Sequence, residues 1–351
     1  MGRLLVAALA AATAVLIAWL LRNVHTSSDR RTAIDAGRYL VHGGLDVYAV
    51  MPRAQMGPMA LTLAAVLPIA AFIVVVGGCA GLFVWLGYAA TGASARPWHA
   101  WGAVMVGATW ERWAYTGHAD DVLVLVGLAT LLVGSRRRSG WLVGAGLVLA
   151  LLGKPTAALL VPVAWFGDRR ATVYGLVVAA ACWLPFFLAD PAGFLHAGGG
   201  IMGVYPSSLW GLLGVTGHYP PYVRPLQLGL AWTAGALLAR RTGLPAVALV
   251  AVVIRAVLEP AAMPLYWMSI VAVALLVDLP RRYPLVTTLA FTGFALDMID
   301  SSDAPVGVFR LALLVTVAVV GVLCGRHDMT EPAPVTEAGS EVERRDPAEA
   351  A

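Results

Sequence analysis

Apolar runs of roughly 15–20 residues, separated by short polar breaks, fill the chain from residue 4 to residue 324. They do not alternate apolar with polar, so they read as helices rather than as barrel strands. In hydrocarbon every backbone amide must be paired within its own segment, which makes helices the spanning elements here. The first run, residues 4–21, is long for a cleavable signal core and is followed by further runs. It reads as a first helix that stays.

Basic clusters order these runs. Arg136, Arg137 and Arg138, then Arg169 and Arg170, Arg240 and Arg241, Arg281 and Arg282, and finally Arg326 lie between them. Such residues mark the cytoplasmic face. Neighbouring clusters must therefore enclose an even number of crossings. Two short spans fit between 139 and 168, broken at Lys154–Pro155. Two spans and a polar, aromatic loop (190–222) fit between 171 and 239. Two more, broken at Glu259–Pro260, lie within 245–278, and the last two, broken by Asp300-Ser-Ser-Asp303, within 284–324. This parity puts all four breaks on the far side. Residues 54–95 carry no Asp, Glu, Lys or Arg. As helix they would reach about twice the ~30 Å apolar core. One crossing over 69–91, preceded by a partly inserted piece bounded by Pro58 and Pro68, is the preferred reading. Spans at 98–113 and 119–134 follow. The expected fold is an all-α, polytopic bundle of about twelve helices over residues 1–324, with both termini cytoplasmic. Residues 325–351, with seven acids and three arginines, form a disordered cytoplasmic tail.

Composition agrees. Of 351 residues 60% are hydrophobic and 13% charged, where soluble domains carry about 25% charged residues. Mean hydropathy is +0.79. The net charge of +4 is scattered in short clusters between apolar runs, which speaks against a nucleic-acid partner. Cys79, Cys182 and Cys324 lie in or at the end of predicted spans, so neither a disulfide nor a metal site is expected from them.

Chemistry then belongs in the far-side polar segments. Residues 22–57 hold Asp29, Asp35 and Asp46, with Tyr39, His42 and Tyr48, and five arginines. Two adjacent acids, Asp120 and Asp121, follow His118 at the start of an apolar run. One acid suffices for a helix N-terminus; a pair beside a histidine at a membrane boundary marks a functional candidate. Lys154 is a lone ammonium between spans, suited to a lipid phosphate. Arg255 and Glu259 are four apart on one helical face and are expected to pair with each other. Tyr266 and Trp267 read as an interfacial anchor. The loop 190–222 carries Asp190, His196, Tyr205, Trp210 and His218, fit either for lining a sugar or lipid cleft or for interfacial packing. Histidine spacing gives no metal motif. A divalent ion on the oxygens of Asp120 and Asp121 is the less favoured reading, and no cofactor is certain.

Asp35-Ala-Gly-Arg-Tyr39, Gly43-Gly44, Tyr48 and Gly57-Pro58-Met-Ala-Leu resemble, in this order, the first exported loop of GT-C fold glycosyltransferases. The pattern is most similar to the actinobacterial polyprenol-phosphate-mannose-dependent mannosyltransferases of glycosyltransferase family 87. Gly117-His118-Ala119-Asp120-Asp121, Lys154-Pro155 and the stretch Arg255 to Trp267 continue the likeness, which spans most of residues 1–280. His118 and Asp120 depart from the Gln and Asn common in that family. The resemblance implies a polyprenyl-phosphate sugar as donor, with mannose as the hexose, and an exported glycolipid or glycan as acceptor. It also implies an inverting transfer with Asp35 as the base, in a multi-pass cell-membrane protein whose site faces the extracytoplasmic side. Tyr39, Tyr48, His118, Asp120, Asp121, Lys154, Arg255, Glu259 and Tyr266 are the expected substrate contacts. The competing readings are a polytopic transporter and a lipid-binding membrane protein without catalysis.

Overall fold

The computed structural model describes residues 2–22, 28–198, 203–218, 220–261, 265–299 and 304–327. Among these residues there is no β-strand, only an isolated bridge between Gly203 and His218. The helices are α1 (Arg3–Leu21), α2 (Ser28–Val41), α3 (Val47–Val50), α4 (Pro58–Val66), α5 (Ile69–Thr91), α6 (His99–Thr116), α7 (Ala119–Arg136) and α8 (Gly140–Gly153). A 3-10 turn (Pro155–Leu160) leads into α9 (Val161–Gly167), α10 (Arg169–Ala189), α11 (Pro191–Gly198) and α12 (Leu209–Leu212). The chain continues with α13 (Val223–Leu238), α14 (Leu244–Leu258), α15 (Leu265–Asp278), α16 (Leu285–Ile299) and α17 (Ala304–His327).

Among the described residues four segments are long and apolar enough to cross a membrane: Arg3–Leu21, Ile69–Thr91, Arg169–Ala189 and Pro305–Arg326. Several shorter apolar helices pack among them, α8, α14, α15 and α16 included. The expected twelve crossings are thus met only in part. The stretch 139–168 shows why. Its legs, α8 and the 3-10 turn with α9, are each only about 20 Å long, shorter than the ~30 Å apolar core. Residues 54–95 divide as expected into a short α4 and one long α5. Of the tail, residues 328–351 lie outside the described residues.

Small residues let the helices approach closely, the usual solution where lipid removes any hydrophobic drive for helix association. Ala7, Ala10, Ala14 and Ala18 form the buried stripe of α1. Gly81 of α5 and Gly107 of α6 meet that stripe, so that a Cβ on them would lie 2.9 Å from Ala7 O and 2.6 Å from Ala10 O. A close pairing joins α7 and α8 in antiparallel fashion. A Cβ on Gly127 would lie 2.5 Å from Gly146 O, and one on Gly153 would lie 2.9 Å from Asp120 O. Helix α15 is buried nearly all round, as befits a central helix. By contrast, α10 exposes Val173, Tyr174, Val177, Leu184 and Leu188.

The helix ends separate by chemistry. At one end Arg3 reaches Gly92 O (3.4 Å), Arg96 reaches Arg281 O (2.5 Å) and Gly243 N bonds Gly325 O (3.4 Å). At the other, Gly57 N bonds Gly153 O (2.7 Å) and Tyr205 N bonds Pro260 O (3.0 Å). The breaks at Lys154–Pro155 and Glu259–Pro260 and the loop 203–218 therefore lie opposite the arginine clusters. Asp300–Asp303 falls outside the described residues.

Enlarging Gly146 to leucine is expected to part α7 from α8. Overpacking costs about 1–3 kcal/mol, read as a lowered midpoint in thermal unfolding of the detergent-purified protein. Enlarging Gly78, which has nothing within 4 Å of its Cβ position, is expected to leave the midpoint unchanged.

Candidate functional site

The polar end holds a cavity of about 390 Å³. Its walls come from sequence-distant pieces: Asp29 and Thr32 of α2, Arg53 and Gln55 ahead of α4, His118 with Asp120 and Asp121, Lys154, Tyr205, Arg224 of α13, Arg255 of α14 and Tyr266 of α15. Two glycines and a proline explain the local geometry. Gly117 ends α6 in the left-handed region, φ +82, and turns the chain directly into α7. Arg30 Cα of α2 comes within 3.0 Å of where a Gly117 Cβ would stand. Gly153 lets the end of α8 seat on the first turn of α7, and Pro155 stops α8 at Lys154, which is extended (φ −156, ψ 130).

The side chains form a continuous chain of charge. Lys154 Nζ lies 2.5 Å from Asp120 Oδ2 and 3.0 Å from Asp121 Oδ2. His118 Nδ1 lies 3.2 Å from Asp120 Oδ1, and its Nε2 lies 3.6 Å from Asp29 Oδ2. With a carboxylate beside each ring nitrogen, His118 is placed as an imidazolium: Nδ1–H donates to Asp120, and the Nε2 side forms an ion pair with Asp29. Arg255 Nη1 stands 3.6 Å from Asp121 Oδ1, with its guanidinium 5.2 Å from the centre of the Tyr266 ring. Arg224 Nη1 donates to Glu259 Oε2 (2.7 Å) and Gln227 Oε1 (2.9 Å). Asp29 sits at the mouth, its side chain 56% exposed. The His118 imidazolium beside it holds the Asp29 carboxyl below the usual carboxylate range.

Three lining carboxylates (Asp29, Asp120, Asp121) face four permanent cations (Arg53, Lys154, Arg224, Arg255). Counting Glu259 behind Arg224 balances them at four each, and the His118 imidazolium then leaves one positive charge. Ligand atoms of His118, Asp120 and Asp121 lie within 4.8 Å of one another, spacing that suits a metal ion. The Lys154 ammonium, however, already bridges the two carboxylates.

A second cavity of about 250 Å³ adjoins the first and shares Gln55, Met56, Lys154 and Arg224 with it. Its other walls are largely apolar: Tyr48, Leu159, Trp183, Phe194 and Leu228. The Tyr48 ring stands 5.6 Å from those of Trp183 and Phe194, and its hydroxyl donates to Met56 O (2.8 Å).

Of the residues expected from sequence, His118, Asp120, Asp121, Lys154, Arg255 and Tyr266 share the polar cavity. Tyr48 lines the apolar one. Asp35 lines neither and is exposed on α2. It lies six residues past Asp29, about 240° around the helix, so Asp29 rather than Asp35 faces the cavity. Tyr39 also lies outside, donating to Asp46 (2.8 Å). Glu259 is buried behind the wall, and its ion-pair partner is Arg224 on the neighbouring helix, not Arg255 four residues away. Arg53 is one of the five arginines of the first polar segment, whereas Arg224 is not among the residues expected from sequence. Arg224 did leave a signal: it is the one cation between Arg170 and Arg240, well away from either arginine cluster.

Comparisons with protein-family models, with curated proteins and with solved structures find no match to this chain.

Lys154→Met is expected to be strongly destabilising, because it leaves Asp120 and Asp121 buried without their ammonium, at a cost of about 3–5 kcal/mol. The triple variant Lys154→Met with Asp120→Asn and Asp121→Asn is expected to recover part of that loss. Unfolding midpoints of the two proteins in the same detergent check the order.

Proposed function

We propose that this protein is a membrane glycosyltransferase that moves a hexose, mannose by the resemblance, from a polyprenyl-phosphate donor to an exported glycolipid or glycan. One observation carries the reading: a polar, charge-lined cavity and an apolar groove meet at two shared cations, Lys154 and Arg224. A lipid-phosphate sugar has the same three parts in the same order. Its sugar fits the polar side, its phosphate the cations, and its isoprenoid chain the groove walled by Leu159, Trp183, Phe194 and Leu228.

The charge count supports the same donor. A phosphodiester brings one negative charge to a site with one positive charge in excess. As the sugar departs, a second negative charge develops on the phosphate, and Lys154 and Arg224 are in place to stabilise it. Phosphate needs no proton to leave, so a single base is enough, unlike the carboxylate pair of a glycoside hydrolase.

In the reaction the acceptor hydroxyl oxygen bonds to the anomeric carbon from the face opposite the phosphate. The carbon–oxygen bond to phosphate breaks, and the hydroxyl proton passes to a carboxylate. Asp29 takes this role in place of Asp35: it stands at the mouth, where an acceptor arrives, and its ion pair with His118 orients it. Its lowered pKa keeps it ionised but makes it a weak base. Proton transfer therefore comes late, when the attacking oxygen has grown acidic. By the positive-inside rule the arginine end is cytoplasmic and the cavity opens outward, in a multi-pass protein of the cell membrane.

Transfer of labelled mannose from polyprenyl-phosphate-mannose in membranes tests the reading. Asp29→Asn is expected to lower turnover about 10²–10⁴-fold, while Asp35→Asn stays near wild type. Activity that survives Asp29→Asn would overturn the choice of base. Absence of transfer from any lipid-phosphate sugar would overturn the function and favour a protein that binds such lipids without acting on them. A second expectation concerns the groove. Leu228→Trp should weaken use of the long-chain donor while sparing one with a shortened isoprenoid, seen as a KM difference between the two.

A further inference from the structure

A second cavity with convergent charge lies at the opposite end of the molecule, among the start of α1 and the ends of α5 and α7. Its volume is about 400 Å³, and Arg3, Arg136 and Arg137 line it beside Trp85, Tyr88 and Gly92. We infer that it binds the phosphate headgroup of an anionic membrane lipid. The inference rests on the membrane reading of the apolar helices and is independent of the proposed enzyme activity.

Three guanidiniums meet here, and among the described residues no carboxylate lines the cavity. The simplest competing explanation is capping of α5. Arg3 Nη2 does lie 3.4 Å from Gly92 O, and Arg136 Nη1 lies 3.5 Å from Ala90 O. Both contacts are at the long limit of a hydrogen bond. The C-termini of α5 and α7 each supply only about half a negative charge, together about one unit, which one arginine answers. Two further cations at these helix ends repel each other unless an anion joins them. Gly92 is shaped for this crowding: it is left-handed (φ +71), and any side chain there would strike the Arg136 guanidinium. The Arg3 guanidinium stands 5.8 Å from the centre of the Tyr88 ring, which holds it over the cavity.

The apolar half of a lipid also has a place. Trp85 is 46% exposed and Leu82 41% exposed on α5, a helix long and apolar enough to cross a bilayer. Acyl chains can run along that face while the phosphate sits among the arginines at helix-end depth. Basic pockets between membrane helices on the cytoplasmic side hold lipid phosphates in this way. An inorganic phosphate would meet the same arginines but would gain nothing from Trp85 and Leu82.

The full chain, purified and delipidated in neutral detergent, is titrated with phosphatidylglycerol, phosphatidylcholine or inorganic phosphate. The unfolding midpoint and the lipid retained in native mass spectrometry are followed. Phosphatidylglycerol is expected to raise the midpoint and to be retained, with the other two inert. Arg136→Gln with Arg137→Gln is expected to weaken retention about tenfold or more. Arg240→Gln with Arg241→Gln removes the same charge from another cluster and is expected to leave retention as in wild type. Should the Arg136 and Arg137 variant fold poorly, Arg3→Gln serves in its place with the same expected loss. Equal loss in the Arg240 and Arg241 control, full retention in the cavity variants, or an equal shift with phosphatidylcholine or phosphate would each overturn the site.

Discussion

The ion cluster of Lys154 with Asp120 and Asp121 holds the polar end together. These three groups are almost fully enclosed at the end of two helices, where unpaired charge is costly. They meet because α7 and α8 run antiparallel at glycine-to-glycine distance, so that Gly153 rests on the first turn of α7. Pro155 then prevents α8 from continuing and leaves Lys154 extended across the paired acids. The contact governs its surroundings: His118 is oriented by Asp120, Asp29 by His118, and Arg255 lies against Asp121. The cavity is the space these constraints leave open.

That space has two chemical halves. Acids and guanidiniums surround one, aromatic and aliphatic side chains the other, and Lys154 and Arg224 stand at the join. Glu259 and Gln227 hold Arg224 from behind, which keeps a half-buried guanidinium at the junction without placing another acid in the cavity wall. An amphiphile with a phosphate between a polar and an apolar part matches this order. A small soluble anion would leave the groove unused.

Charge is also divided along the length of the molecule. Arginines gather in clusters at one end on exposed helix termini, whereas at the other end Lys154, Arg224 and Arg255 are held by carboxylates around the cavity. The first arrangement suits contact with a lipid headgroup layer, the second, on the proposed function, the stabilisation of charge during transfer. Both follow from one property of the bilayer: an ion is tolerated at the interface, and below it only when paired.

Much of this was legible in the linear chain. Unbroken apolar runs demand helices, because no other element satisfies its own amides in lipid. Regular basic clusters place Lys154–Pro155 and Glu259–Pro260 opposite the arginines by parity alone, and His118, Asp120, Asp121 and Lys154 stand out as ions that an apolar chain would otherwise avoid. Two things were not legible. Helix α2 carries acids on more than one face, so only its packing on α4 and against Gly117 decides that Asp29 turns inward and Asp35 outward. The partner of Glu259 lies across a helix interface in Arg224, because spacing along one helix gives proximity but not direction, and direction depends on which neighbours fill the space around it. Sequence by itself therefore determined the membrane class and the end that bears the ions, since both follow from solvation of single segments. Only the tertiary structure decided which ions face one another, since that depends on how closely and at what rotation the segments pack.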